Sequence, residues 1–445
     1  MVTSGARKQG KIAASVAAEA GKFASADFRA AARENHHLEI GPGPQLEAEW
    51  RAAGLTLPDL PAMRQYRLDR IVEQLHQRDL GGIILFDPMN IRYATDSTNM
   101  QIWVMHNGAR YCWVGADASV IVWDFYDCEF LAAHSHVVDE VRPAIGSTFF
   151  LAGTRYAEKA RRWAAEMLDV IAAHAGGNAR IAIDQCHYLG YKELEAAGIT
   201  IEFGQEVMEM ARSIKSPDEL AAMRCAVHAC ETTMTELAEA LTPGMTEREV
   251  WAMLHAGNIA RAGEWIETQI LASGPRTNPW MQEASSRVIA DGDLVGYDTD
   301  LVGPYGMMVD ISRTLRAGGG SPTPDQQDVH ALAVEQIERN LELLRPGASL
   351  HDLCHKAWMP PVDEYRHYCV LFHGVGQCDE YPEVVFPEAW DEWGFDAHLE
   401  PGMVLTVESY VGAHAGGEGV KLEEQVLVTE TGPQRFSTIS LDLVP

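Results

Sequence analysis

The stretch GYDTDLVGPYGMMVDISRT, residues 296–314, sets the hardest constraint on the fold: it places Asp298, Asp300 and Asp310 among residues that otherwise read as buried strand. In a strand, residues two apart share a face, so Asp298 and Asp300 point the same way. The turn VGPYG predicts a hairpin that returns Asp310 to their side. Three carboxylates packed together without a cation would undergo large pKa shifts or unfold the sheet. A solvent-facing acidic hairpin is the plainer alternative, and these residues alone leave both readings open.

Three further segments bear on that choice. CVLFHGVGQ places His373 at the end of an apolar strand before a glycine turn. GMVLTVESY and GVKLEEQVLV place Glu408 and Glu423 in strands, where a lone carboxylate is costly. Each has an ordinary structural explanation, a satisfied core histidine or a strand-end glutamate. Together they make an oxygen-rich set with one imidazole, which suits a pair of divalent first-row metals sharing bridging carboxylates.

The rest of the chain frames that set. At 445 residues it is too long for one ordinary domain. Its 35 Lys and Arg against 64 Asp and Glu give a formal charge of -29, which argues against nucleic acid or an anionic membrane as partner. The eight cysteines form no C-x-x-C pair and read as reduced thiols of a cytoplasmic enzyme. The N-terminus, broken by Lys11, Glu19 and Lys22, is a poor signal peptide, and no run of eighteen apolar residues could span a membrane.

After a polar leader, residues 1–55, helical and strand patterns alternate through 56–212, predicting a small α/β domain. From 213 the texture changes to an α+β layer extending to 445. Helix starts are marked by capping boxes at Ser216 with Glu219, Thr246 with Glu249, and Thr323 with Gln326; Pro217 and Pro324 stand in first helical positions. HDLCH sets His351 and His355 four apart on a helix, a metal-compatible spacing, but no glutamate follows the first histidine.

The order Asp, Asp, His, Glu, Glu, with VDISRT, HGVG, PGMVLTVES and VKLEEQVLVTETG around them, resembles the pita-bread metallopeptidase superfamily of methionine aminopeptidases, prolidases, aminopeptidases P and creatinases. DPMNIRYAT (87–95) and SIKSPDEL (213–220) resemble its creatinase and prolidase branch. The resemblance implies an α/β N-terminal domain, a pita-bread catalytic domain and a homodimer. It also implies metal ligation by Asp298 or Asp300, then Asp310, His373, Glu408 and Glu423.

Two departures argue against peptide hydrolysis. Where the peptidases carry a proline-histidine step before the first metal aspartate, this chain has Pro279 and Trp280; where they carry a second histidine before Glu-x-Pro, it has Asp379 before Glu380 and Pro382. A tetrahedral oxyanion needs donors, which a carboxylate is not. A carboxylate is instead a good general base, and an indole attracts a cationic centre. The substrate implied is a small zwitterion.

Within the superfamily this combination resembles the dimethylsulfoniopropionate lyases of marine bacteria. That likeness implies all six ligands, Asp298, Asp300, Asp310, His373, Glu408 and Glu423, with iron as the expected metal; the donor set suits two ions per subunit, and the carboxylate chemistry makes Asp379 the expected base. Tyr368, five residues before His373, is a candidate for orienting substrate, with a plain core tyrosine as the alternative. A dinuclear Xaa-Pro dipeptidase of the aminopeptidase P type is the second reading, and a metal-free peptide-binding domain the third.

Overall fold

The computed structural model describes residues 41–443, which fall into two compact units. One comprises residues 59–212; the other comprises 41–58 together with the chain from 213 onward. Most of the 1–55 leader lies outside the described residues. Its last part, with the three residues after it, joins the second unit instead of standing alone, because Trp50 on helix Gly43–Ala52 is buried, with its ring 6.1 Å from that of Tyr305.

The first unit is a three-layer α/β sandwich. Its strands are β1 (Gly82–Leu85), β2 (Tyr111–Gly115), β3 (Val120–Asp124), β4 (Glu140–Pro143), β5 (Arg180–Ile183) and β6 (Thr200–Phe203), in the order β4-β3-β2-β1-β5-β6. Alternation along β1 decides which helix covers which face. Ile83 and Leu85 pack with Leu68, Ile71 and Leu75 of helix Leu60–Gln77, whereas Ile84 packs with Trp163 and Met167 of helix Tyr156–His174. Asp87 starts helix Pro88–Thr95 by accepting the N–H groups of Met89 and Asn90.

In the second unit all three capping boxes form as the sequence predicts, at Ser216, Thr246 and Thr323. Short strands β7 (Trp265–Ile266), β10 (Leu301–Val302) and β11 (Met308–Val309) make one sheet, and β8 (Leu271–Ser273), β9 (Leu294–Tyr297) and β12 (Arg313–Arg316) another. The largest sheet runs β15 (Asp379–Val385), β14 (Val370–Val375), β16 (Val404–Ala413), β17 (Gly419–Thr429), β18 (Gly432–Arg435), with β13 (Tyr365–Arg366) beside β16.

The long β16–β17 ladder separates core from site. Leu405, Val407 and Val411 of β16 and Val420, Leu422, Val426 and Val428 of β17 belong to one apolar core with Val329, Ala333 and Ile337 of helix Pro324–Leu341. The alternate residues, Thr406, Glu408 and Tyr410 facing Gln425, Glu423 and Lys421, therefore occupy the opposite face. Every polar side chain in this second set is buried.

The expected hairpin is present, with Leu301 opposite Val309 and Val302 opposite Met308. The strand expected to run through Asp298 and Asp300 is broken there instead. β9 ends at Tyr297, Asp300 takes a left-handed φ of 38°, and β10 begins in a different sheet. The break is what turns the two aspartates toward a common point.

Candidate metal and active site

Six side chains from five separate segments converge. Asp298 and Asp300 come from the break after β9, Asp310 from the end of β11, His373 from β14, Glu408 from β16 and Glu423 from β17; all are buried. Glu408 and Glu423 are direct partners in the antiparallel ladder. His373 Nε2 lies 3.5 Å from Asp310, 3.4 Å from Glu408 and 3.6 Å from Glu423. These separations are long for hydrogen bonds. They match neighbouring ligands around one ion with bonds of about 2.1 Å, for which octahedral and tetrahedral edges are about 3.0 and 3.4 Å.

Donor atoms of Asp310, His373 and Glu423 lie mutually within 4.8 Å, and so do those of Asp298, Asp300 and Asp310. Asp310 belongs to both groups, as a carboxylate shared by two ions would. Oε1 of Glu423 is buried with no hydrogen-bond partner, a costly arrangement that a cation at that point relieves. The residues therefore fit a divalent metal centre.

Without an ion, the electrostatics are strained in the direction such a site requires. Burial, then the charge of Asp298, holds Asp300 well above the ordinary aspartate value. Asp310 is raised by burial and then by Glu423. Glu408 is pushed up to about 8 by burial and Glu423. For Glu423 burial acts the same way, but Lys421 and His373 overcome it and hold the carboxylate well below the usual range.

Lys421 was not singled out by the sequence reading. Fully buried, its Nζ donates to Glu408 Oε2 at 2.6 Å, to Ser312 at 2.7 Å and to Glu423 Oε2 at 3.1 Å, and lies 3.4 Å from Asp298. A signal existed: Lys421 is two residues before Glu423, so strand alternation puts both on one face. Ser312 also escaped notice; its hydroxyl lies within hydrogen-bond distance of both Asp298 and Glu423. Thr268 donates to Asp300.

Asp379 opens β15, and its Oδ1 is 3.6 Å from Nδ1 of His373, on the ring edge away from the carboxylates. Its side chain keeps 60 % of its surface exposed, so it borders the site from the solvent side. Its carboxyl is raised from the ordinary value, by burial of its inner side and by Glu423, against the lowering effect of His373. Tyr368 presents its ring to Lys421, whose Nζ is 4.6 Å from the centroid. Trp280 is 7 % exposed and packs with Ala272, Tyr410 and Tyr368. Its ring lies so close over Gly296, two residues before Asp298, that a Cβ there would meet it at 2.8 Å.

A single carboxylate secures the loop carrying Trp280. Glu247, buried at the start of helix Glu247–Ala260, accepts the N–H and hydroxyl of Ser273 at one end of the loop and those of Ser285 at the other, and also binds Arg276. By contrast, His351 and His355 are exposed and stacked on each other at 4.1 Å beside Trp390, outside either candidate ligand group.

The chain also resembles proteins already known. Residues 221–430 match metallopeptidase family M24. The chain is 45 % identical to the dimethylsulfoniopropionate lyase DddP of Roseovarius nubinhibens over 92 % of this chain and 93 % of that one. It is 41 % identical to the protein of the same name from Roseobacter denitrificans, over 92 % of each. An Xaa-Pro dipeptidase of Pyrococcus furiosus is 30 % identical over 54 % of this chain and 67 % of its own. Among solved structures, an Xaa-Pro dipeptidase from Bacillus anthracis superposes with a TM-score of 0.68 at 20 % identity, covering 86 % of this chain and 99 % of its own. That likeness establishes the pita-bread fold expected from the sequence.

Proposed function

Because this chain belongs to metallopeptidase family M24, in the branch of the dimethylsulfoniopropionate lyases, we propose that it cleaves dimethylsulfoniopropionate to dimethyl sulfide and acrylate. The observation that carries this reading is the near full-length identity to two lyases of that name, against a match to the dipeptidase that spans little more than half the chain. The enzyme is a carbon–sulfur lyase that keeps a peptidase fold.

A divalent metal held by Asp298, Asp300, Asp310, His373, Glu408 and Glu423 would supply Lewis acidity toward the substrate carboxylate. The chain's own groups supply the rest. Asp379 stands at the solvent side of His373, where a carboxylate reaches a bound substrate without joining the buried ligand set. Its oxygen takes the α-proton; the C–H electron pair becomes the new double bond, the Cβ–S bond breaks, and the sulfonium leaves as neutral dimethyl sulfide. Asp379 then holds the proton until it passes to solvent, to which it is open. The aromatic group of Trp280, Tyr410 and Tyr368 supports a cationic subsite beside the ligands, since ring faces attract a sulfonium as they attract an ammonium.

Iron, two ions per chain, a homodimer and a cytoplasmic setting complete the proposal. The two donor groups sharing Asp310 support a pair of ions, and the mainly oxygen donors with one imidazole suit iron. Exposed Tyr126, Phe149 and Phe150 on the first unit support an apolar contact with a second copy. Eight free cysteines support a reducing compartment. No helix among the described residues is long and apolar enough to cross a membrane.

The test is headspace gas chromatography of the purified, metal-analysed protein with dimethylsulfoniopropionate, beside an assay with an Xaa-Pro dipeptide. Dimethyl sulfide with equimolar acrylate is expected. Dipeptide cleavage without dimethyl sulfide would return the protein to the peptidases.

A further inference from the structure

We propose that Lys421 is the built-in counter-charge of the metal centre, a positioning residue whose ammonium fixes which oxygen of Glu408 and of Glu423 is left for the ions and leaves the site with the charge of two divalent cations to bind. The inference rests on the six-ligand reading above and needs no assumption about the substrate.

The assignment of oxygens comes first. Lys421 Nζ contacts Oε2 of Glu408 and Oε2 of Glu423, while Oε1 of each faces His373 Nε2. One ammonium thus takes one oxygen from each member of a directly paired couple and leaves the other for a cation. The Asp298 oxygen beside Lys421 is Oδ2, whereas its Oδ1 accepts from Thr299 and Ser312. Free glutamates could rotate and exchange oxygens. Fixed ones present a prearranged edge, which lowers the ordering cost of metal capture.

The charge follows. Asp298, Asp300, Asp310, Glu408 and Glu423 bring five negative charges when ionised, and Lys421 returns one positive charge, leaving four, which two divalent ions neutralise. Among the described residues, Lys421 and His373 are the side-chain cations within ion-pair distance of these five carboxylates, and His373 is spent as a neutral ligand once metal binds. Two other buried cations of this unit pair elsewhere, Arg313 with Glu424 on the opposite face of β17 and Lys215 with Glu380. A buried ammonium is costly unless paired; here it meets three carboxylates, a hydroxyl and the ring of Tyr368. Through that last contact Lys421 also ties the position of Tyr368 to the metal ligands.

The expected signature is a difference between loaded and stripped protein. With ions bound, four of the five carboxylate charges are neutralised whether or not Lys421 is present. Without ions, Lys421 is their main counter-charge. Thermal unfolding should be compared for wild type and Lys421→Met after chelator stripping and after loading with Mn(II). We expect the stripped variant to melt at least about 5 °C below stripped wild type, and the loaded pair to differ by less than half of that. Equal losses in both states would mean that Lys421 is only core packing and would overturn the proposal.

A double variant, Lys421→Met with Asp298→Asn, restores the net charge without restoring the ammonium. Stripped, it should recover at least half of the lost melting temperature, or recover folding if the single variant does not fold; failure to recover overturns the charge assignment. Elemental analysis of loaded wild type should give two Mn(II) per chain, and one per chain would also overturn it. All these readings are independent of lyase activity, so they stand or fall separately from the proposed reaction.

Discussion

Glu408 and Glu423 stand opposite each other in the β16–β17 ladder, and each presents one oxygen to His373 Nε2, at 3.4 and 3.6 Å. On the proposed ligand set, this shared edge makes both glutamates necessary for metal capture. Glu423→Gln places an amide where Oε1 now stands buried without a partner. Metal content should fall by at least half and lyase turnover by about 100-fold or more, measured by elemental analysis and dimethyl sulfide release. Chelator treatment of wild type should abolish activity, and added metal should restore it.

Asp379→Ala tests the base. Its side chain is outside the buried ligand set and largely exposed, so metal content and melting temperature should stay near wild type. Turnover should drop by about 10²- to 10⁴-fold, the usual contribution of a positioned general base. Activity near wild type with metal intact would remove Asp379 from the mechanism.

Trp280→Leu keeps an apolar side chain but removes the ring. A desolvated cation–π contact is worth about 0.5–2 kcal/mol, so KM for the sulfonium substrate should rise by about 2- to 30-fold with a smaller change in kcat. Steady-state kinetics beside Trp280→Phe, which retains an aromatic face, separates the electrostatic effect from lost packing.

Glu247 carries a prediction about pH. Burial alone would raise its pKa, but the hydrogen bonds from Ser285 and Ser273 prevail and hold it below the ordinary 4.5. A carboxylate depressed in the folded state contributes stability that is fully present above its unfolded value and is lost as pH falls through the folded one. Wild type should therefore lose melting temperature below about pH 4.5 more steeply than Glu247→Gln. At neutral pH the variant should be less stable by about 2 kcal/mol, and its loosened Trp280 loop should raise KM.

Much of this was legible in the sequence because it rests on local rules. Capping boxes at Ser216, Thr246 and Thr323 need only four residues each, and all three form. The six ligand candidates stood out because carboxylates and an imidazole interrupt apolar strand patterns, and the structure gathers all six. The break between Asp298 and Asp300 was not legible: GYDTDLV keeps a strand-like pattern, while the left-handed turn at Asp300 is held by side chains remote in sequence, among them Thr268. Lys421 escaped for a related reason. A lysine in a strand ordinarily marks a solvated face; alternation sets it beside Glu423, and the tertiary pairing that buries β17 makes that face internal. Glu247 was not legible either, since it sits in the first turn of its helix while its bonds to Ser273 and Ser285 span 26 and 38 residues.

The β16–β17 ladder has a consequence for how such a chain can fail. Side chains alternate along it with a period of two, Leu422 and Val426 toward helix Pro324–Leu341 and Glu423 and Lys421 toward the site. A one-residue slip of β17 would point Leu422 at the carboxylate cluster and push Glu423 and Lys421 into the hydrocarbon interior. An isomer slipped by one residue cannot keep its core and lose only its chemistry. Quality control that recognises exposed apolar surface therefore also removes chains slipped by one residue, whose site is lost together with their core.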